Sequence, residues 1–305
     1  MNSTFIDSLP SELVTNVTAI CGARGVQWFG DLEGIVAQLE SIWSIETLRP
    51  FPAGGFNFVA PALRENGELA VLKISPPYEM GEIFAEAAFL RNLDGNGTIK
   101  LYNLDTERSA LLLEHALPGK NLVEMFKGDE AAAVEPAIDV LRSMLSPVPE
   151  DSTGIATLDK WFDGMTRFVQ TDFPAGYAAM ALRIYGELSP VPDRTFYLHG
   201  DFHPGNVVNA TRSPFLAIDP KGIVGHIGYD IAVFLNNFYW WQETRPDVRE
   251  RLDRAVAQFA DAFGLDEVEL HRWAFAQTVL SAWWTFDESP ETYSNEVAKA
   301  DIWDV

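Results

Sequence analysis

The sequence predicts an α+β chain of two lobes: a small antiparallel β-sheet lobe with one key helix, then a larger, mainly α-helical lobe. Three observations predict it. Between residues 44 and 117, short runs of alternating apolar residues are broken by turn signals, with one helical stretch among them. From residue 118 onward the apolar spacing is mostly that of helices. Within that second half, the polar loop His199 to Asn206 is bracketed by two brief apolar segments.

The elements follow in order. A first helix is expected over Ser11 to Cys21 with Ser11 as its cap. Residues 27–43 place Trp28, Phe29, Leu32, Ile35, Val36, Leu39, Ile42 and Trp43 on one apolar face of a second. Residues 1–43 therefore read as a helical extension packing on the lobes. Phe56, Phe58, Ala60 and Ala62 alternate as a strand, and Asn66-Gly67 makes a hairpin turn. Leu69 to Ile74 is the return strand and carries Lys73. Pro76-Pro77 breaks the chain, and Glu79 to Leu93 is a helix holding Glu82 and Glu86. Ile99 to Leu104 and Ser109 to Glu114 are two more strands. Pro118-Gly119 marks the boundary, giving lobes over 44–117 and 118–305. Helices are expected over Asp129 to Leu145 with Asp129 as cap, Asp159 to Gln170, Tyr177 to Leu188, Asp247 to Phe263 and Val268 to Phe286. Phe196 to Asp201 and Phe215 to Asp219 are short strands flanking a loop.

Bulk properties exclude several functions. Hydrophobic residues make up 47% of the 305, so a packed core is expected. No apolar run approaches the ~20 residues that cross a bilayer. Cys21 is the lone cysteine, which excludes an intrachain disulfide and a cysteine zinc cluster. Met1 to Pro10 holds Asp7 and no basic residue ahead of an apolar stretch, which argues against a secretory signal, and a cytoplasmic location fits. The net charge of −22 disfavours nucleic acid and anionic membrane as partners. The acidity serves solubility or attracts a cationic substrate, and charge alone does not choose between them.

The loop carries the chemistry. Phosphoryl transfer from a nucleotide requires cradled phosphates, neutralised charge and an attacking hydroxyl held in line. In His199-Gly-Asp-Phe-His-Pro-Gly-Asn206, Asp201 is the candidate base that accepts the hydroxyl proton. Asn206, five residues later, can offer a side-chain oxygen to Mg²⁺, and Asp219 ends the next strand with a carboxylate suited to the same hard cation. A lone Asp and Asn would be ordinary turn residues, whereas the whole string favours catalysis. His199-X-X-X-His203 on a Gly- and Pro-containing loop lacks the helical geometry of a zinc motif. His199 reads as a structural residue of the loop, and His203 touches substrate or lines the loop. Lys73, among Val71, Leu72 and Ile74, is the candidate phosphate clamp, or else an edge-strand lysine facing solvent. Its favoured partner is Glu86. Gly54 and Gly55 let backbone N–H groups approach phosphates, or form an ordinary turn.

These residues resemble a known family. The string 199–206 is similar to the catalytic loop of the aminoglycoside phosphotransferases, which have a protein-kinase-like two-lobed fold. Ala217-Ile-Asp-Pro-Lys-Gly-Ile-Val-Gly225 resembles more specifically the streptomycin and hydroxyurea phosphotransferase branch. So do Val-Leu-Lys73 with Glu86-Ala-Ala-Phe-Leu90, Leu-Leu-Leu-Glu114 with Pro118-Gly119, and the stretch from Arg272 to Trp284. The resemblance implies ATP and Mg²⁺ as cofactors, with Asp201 as base, Asn206 and Asp219 as metal ligands, and Lys73 on the α- and β-phosphates paired with Glu86. It implies Glu114, His115 and Ala116 as the hinge that meets adenine, and Asp230 as a brace of the catalytic loop. Two departures stand out. His226-Ile-Gly228 replaces the usual acidic residue and Pro-Ala, and Phe56-Asn57 replaces the usual hydroxyl residues after Gly55.

The implied substrate is a small hydroxylated molecule, a cationic aminoglycoside of the streptomycin type. Glu243, Asp247, Asp287, Glu288 and Glu291 are acidic candidates for meeting it, and each taken singly also fits a solvated face. A kinase of an ordinary metabolite is the alternative reading. A non-catalytic nucleotide-binding module is disfavoured because Lys73, Asp201, Asn206 and Asp219 are all present. A protein kinase is disfavoured because the loop reads His-Gly-Asp and Asp219 is followed by Pro-Lys-Gly. The oligomeric state and the role of Lys221 are open at this level.

Overall fold

Gly22 takes a left-handed φ of 54° and divides the N-terminal helical stretch in two, α1 (Ser11–Cys21) and α2 (Ala23–Trp43). The fold is that of a computed structural model, which describes residues 9–52, 55–77, 82–288 and 293–305. The chain forms two units, Met1–Leu117 and Pro118–Val305. Ser11 is not a cap: Pro10 holds the cap position without a side-chain bond, and the Ser11 carbonyl instead accepts from Thr15 Oγ1 (2.9 Å). Gly25 lets α2 lie close on α1, since a Cβ there would stand 2.7 Å from the Val17 carbonyl oxygen.

The first unit is built on a five-stranded antiparallel sheet: β1 (Ile45–Thr47), β2 (Phe58–Arg64), β3 (Leu69–Ile74), β4 (Leu101–Asp105) and β5 (Ala110–Glu114). Their spatial order is β1-β2-β3-β5-β4. The Asn66-Gly67 turn joins β2 to β3, and the register pairs Phe58 with Ile74 and Leu63 with Leu69. The period of two decides which face each residue serves. Phe58, Ala60, Ala62, Ala70, Leu72, Ile74, Ala110 and Leu112 form one core with Leu13, Val17, Trp28, Phe29, Leu32, Val36 and Leu39 of α1 and α2. Lys73 is out of phase with Leu72 and Ile74, and so faces away from that core. Helix α3 (Glu82–Leu93) packs along β4 and β5. The start expected at Glu79 lies outside the described residues.

The second unit opens with β6 (Pro118–Asn121), which the sequence reads only as a boundary. It pairs with β9 (Val207–Ala210), and β9 pairs with β10 (Phe215–Ala217). Asn121 then caps the short α4 (Leu122–Met125) in a capping box with Glu124. The helix expected from Asp129 begins instead as a 3-10 segment, Glu130–Ala133, and becomes α5 (Val134–Met144), with no Asp129 side-chain cap. Pro136 sits in the first turn of α5, where its missing N–H is tolerated. A second small sheet, ordered β7-β11-β8, joins β7 (Ala156–Thr157), β11 (Ile223–His226) and β8 (Thr195–Leu198). Thr157 caps α6 (Leu158–Met165), and α7 (Ala175–Leu188) follows.

Four helices complete the unit: α8 (Gly228–Gln242), α9 (Val248–Phe263), α10 (Glu267–Glu288) and the short α11 (Ser294–Val297). Helix α8 is buried nearly all round, and α10 packs against it and against α7. The terminal segment returns to this core. Trp303 is fully buried, and its indole N–H donates to Asn236 Oδ1 of α8 (2.8 Å). No described helix is long and apolar enough to cross a membrane.

Candidate active site

In the first unit, Lys73 lies on β3, an interior strand rather than an edge, and Nζ is 2.6 Å from Glu86 Oε2 of α3. Both residues are buried (7% and 3% exposed), so each charge depends on the other for the solvation it has lost. Gly55 is exposed and its carbonyl accepts from Asn16 Nδ2 of α1 (3.2 Å), while Gly54 lies outside the described residues. Glu114 ends β5. Its N–H donates to the Lys100 carbonyl (2.8 Å), and its carboxylate accepts from the Lys100 N–H (2.9 Å). His115 meets Phe51 edge-on with ring centres 5.9 Å apart, and burial lowers its pKa. Ala116 beside it is buried.

In the second unit, β8 delivers the chain into the loop, and a buried carboxylate fixes its course. The His199 N–H donates to Asp230 Oδ2 (2.9 Å) and the Gly200 N–H to Oδ1 (2.8 Å). Gly200 turns at φ 81°, with its Cα packed toward Lys221 and Ile223. Burial raises the Asp230 pKa to about 7, against the pull of those two backbone bonds, and the Asp201 charge adds to the rise.

His199 holds the two halves of the loop together. Its Nδ1 accepts from the Asp201 N–H (3.2 Å), so Nε2 carries the proton and donates to the Ile218 carbonyl (2.9 Å). Burial lowers its pKa to about 3, which keeps it neutral and in this tautomer. The Lys221 N–H donates to the His199 carbonyl (2.7 Å), closing the turn after Asp219. Asp219 itself is exposed, with a left-handed φ of 59°. Aspartate tolerates that region better than most residues, and Pro220 disfavours a right-handed helical conformation before it.

Asn206 donates its amide N–H to the Asp201 carbonyl (3.0 Å), and its own carbonyl accepts from the Ile218 N–H (2.9 Å). With the amide nitrogen so engaged, the side-chain oxygen is the end of Asn206 suited to a cation. One amide oxygen and one carboxylate, from Asn206 and Asp219, form a hard-oxygen donor set. That sparse set fits Mg²⁺, which takes one or two carboxylates and completes its shell with phosphates and water. His203 accepts from the Gly205 N–H at Nδ1 (3.0 Å), and its Nε2 stands 4.0 Å from Asp201 Oδ2.

The acidic candidates for substrate contact have partners within the chain. Glu243 pairs with Lys299 (3.3 Å), Asp287 with Arg167 (3.1 Å), and Asp247 with Arg251 (2.7 Å). The Glu288 side chain and Glu291 lie outside the description. At the departure noted in the sequence, His226 Nδ1 accepts from the Gly228 N–H (3.0 Å) at the start of α8, a duty a carboxylate can also perform. Burial lowers the His226 pKa to about 4, so the ring stays a neutral acceptor. Gly228 is required there, since a Cβ would lie 2.4 Å from Trp273 Cδ1. Sequence reasoning missed the edge-on ring contacts of Tyr229 with Trp161 and of Trp161 with Trp284, because tryptophans at helical spacing carry no mark that separates core from surface.

Comparison with known proteins identifies the family. A family model described as aminoglycoside/hydroxyurea antibiotic resistance kinase matches residues 47–289. The streptomycin 6-kinase of Streptomyces glaucescens is 26% identical, over 94% of this chain and 94% of its own. The hydroxyurea phosphotransferase of Kitasatospora aureofaciens is 28% identical, over 96% of this chain and 85% of its own. Among solved structures, the choline kinase LicA from Streptococcus pneumoniae superposes with a TM-score of 0.64 at 13% identity, covering 89% of this chain and 98% of that one. A thermostable mutant of aminoglycoside phosphotransferase APH(4)-Ia, in ternary complex with ADP and hygromycin B, superposes at 0.61 and 12% identity, covering 88% and 97%. At these identities the structural likeness shows the protein-kinase-like fold.

Proposed function

The chain belongs to the aminoglycoside/hydroxyurea antibiotic resistance kinase family and is a phosphotransferase, and from that premise we propose that it moves the γ-phosphate of MgATP to a hydroxyl of a cationic aminoglycoside of the streptomycin type. The observation that carries the reading is the fastening of Asp201. Its N–H is held by neutral His199, its carbonyl by Asn206, and the two preceding N–H groups by Asp230. A carboxylate so anchored is preorganised to accept a hydrogen bond from the acceptor hydroxyl. Asp201 takes that proton as the new O–P bond forms and the bond to the leaving ADP breaks. Asn206 and Asp219 would hold Mg²⁺, which would supply neutralisation of the phosphate charge. Lys73, oriented by Glu86, supports the α- and β-phosphates, and the hinge Glu114 to Ala116 meets the adenine.

The streptomycin-type acceptor is supported by the 26% identical streptomycin 6-kinase and by a net charge of −22, which favours approach of a cation. A small neutral acceptor is the second reading, favoured by the hydroxyurea phosphotransferase match over 96% of the chain. An ADP-release screen with streptomycin, hydroxyurea and hydroxylated metabolites decides between them. Asp201→Ala should abolish transfer to the acceptor found while MgATP affinity stays within about twofold, since the loss falls on proton transfer rather than binding. Retained turnover would remove Asp201 from this role.

A further inference from the structure

The sequence leaves His203 two roles, contact with substrate or lining of the loop, and the geometry decides between them. His203 precedes the 3-10 turn Pro204–Asn206 and is fastened to it at two points. Its carbonyl accepts from the Asn206 N–H (2.9 Å), and its ring Nδ1 accepts from the Gly205 N–H (3.0 Å). Gly205 makes room for the ring, since a Cβ there would stand 2.8 Å from His203 Cε1. With Nδ1 an acceptor, the ring proton is on Nε2. That nitrogen lies 4.0 Å from Asp201 Oδ2, and the two side chains are 29% and 37% exposed, open to a ligand.

Capping the turn does not by itself call for histidine. An asparagine or aspartate oxygen in the place of Nδ1 would accept the same N–H, and those residues are preferred at such turns. Imidazole adds a second nitrogen beyond the cap, and here that nitrogen stands beside the candidate base. The separation is too long for a direct hydrogen bond. It is the span of one bridging oxygen. An atom ~2.8 Å from both ends subtends an angle of about 90°, which a hydroxyl accommodates with one lone pair and its proton. Asn206 Nδ2 also approaches Oδ2 (3.5 Å), and a carboxylate oxygen has lone pairs for more than one donor.

We infer that His203 Nε2 and Asp201 Oδ2 form a two-point pincer on the acceptor hydroxyl, which makes His203 a second catalytic residue. Nε2–H donates to the hydroxyl oxygen, and the hydroxyl donates to Oδ2. One lone pair is so engaged and the other is left to attack. In transfer the hydroxyl proton passes to Oδ2, the remaining lone pair bonds the γ-phosphorus, and the bond from that phosphorus to the leaving ADP breaks. His203 keeps its proton throughout. The pincer sets the direction of attack, which a single hydrogen bond to the carboxylate does not. It deepens the reading above and rests on Asp201 as the base, whichever hydroxyl is the acceptor.

Two variants divide the duties of the ring. His203→Asn places an acceptor where Nδ1 stands and nothing at Nε2. His203→Gln places an amide N–H near the position of Nε2 and gives up the cap. Each is compared with wild type by thermal melt, by transfer to streptomycin, and by MgATP hydrolysis without acceptor, in which water takes the place of the hydroxyl. His203→Asn should melt with wild type yet lose roughly 2- to 12-fold in kcat/KM for streptomycin, the span of one hydrogen bond between neutral groups. His203→Gln should melt lower yet keep more of that activity, and hydrolysis should follow the same order. The KM for MgATP should be unchanged in both. Activity in the melting order, with His203→Asn above His203→Gln, would overturn the pincer and leave a turn cap. So would wild-type kcat/KM in His203→Asn, or a matching rise in its KM for MgATP. Hydrolysis in the expected order, with no transfer to streptomycin by wild type, would overturn the streptomycin-type reading and leave the pincer standing. Neither transfer nor hydrolysis by wild type would overturn both.

Discussion

Replacing Asp230 with asparagine tests how the loop before Asp201 is held. In the native chain each carboxylate oxygen accepts one backbone N–H, at 2.9 and 2.8 Å, and the residue is 1% exposed. An amide offers one oxygen and turns its NH₂ toward the second donor, leaving a buried N–H unpaired at a cost of about 1–3 kcal/mol. The variant also removes a charge that burial disfavours, and this second effect depends on pH. The carboxyl titrates near 7 in the folded chain and near 3.8 unfolded. Between those values the folded group holds a proton that the unfolded one has released. A raised acid pKa therefore contributes stability below about pH 4 that is lost as the pH climbs to about 7. At ~1.4 kcal/mol per unit, the loss between pH 5 and pH 7 is about 2–3 kcal/mol. Seven of the nine tryptophans follow residue 117, so fluorescence-monitored urea unfolding reports mainly on the second unit. The stability of wild type minus that of Asp230→Asn should fall by that amount from pH 5 to pH 8, with the titration of all other groups cancelling. A difference flat to within about 0.5 kcal/mol would refute the assignment of this titration to Asp230.

Two further outcomes follow from packing and pairing. Lys73→Met leaves Glu86 buried without its cation and should cost about 3–5 kcal/mol, most of it recovered by adding Glu86→Gln. An undisturbed urea midpoint in the single variant would contradict the pairing. Gly228→Ala drives a Cβ to 2.4 Å from Trp273, whose ring also stacks on His226, and should cost about 1–3 kcal/mol. A thermal midpoint equal to wild type would contradict that contact.

Much of this architecture is legible in the sequence because its signals are local. Alternation with Asn66-Gly67 marks the β2–β3 hairpin, and the amphipathic faces of α2 and α9 mark those helices. Helix α8 is invisible to the same reasoning because it is buried on nearly every side and has no polar stripe. Strands β9 and β11 escape because each is four residues long and owes its existence to partners distant in sequence. Caps at Ser11 and Asp129 mislead because Pro10 and the 3-10 turn before Pro136 set those helix starts instead. At the site, the loop string exposes the reacting groups. Only folding joins the scaffold: the Asp230 clamp spans some thirty residues.

The family match runs from 47 to 289, and it holds every residue of the site. A recombinant fragment cut to those limits would nonetheless lose the helical pair that roofs Phe58, Leu72, Ile74 and Leu112. It would also lose Trp303, the plug that caps Asn236. Each large apolar side chain so uncovered forfeits roughly 1.5–3 kcal/mol and becomes a sticky surface. The family match here outlines the chemistry, whereas solubility in the test tube depends on the ends that lie outside residues 47–289.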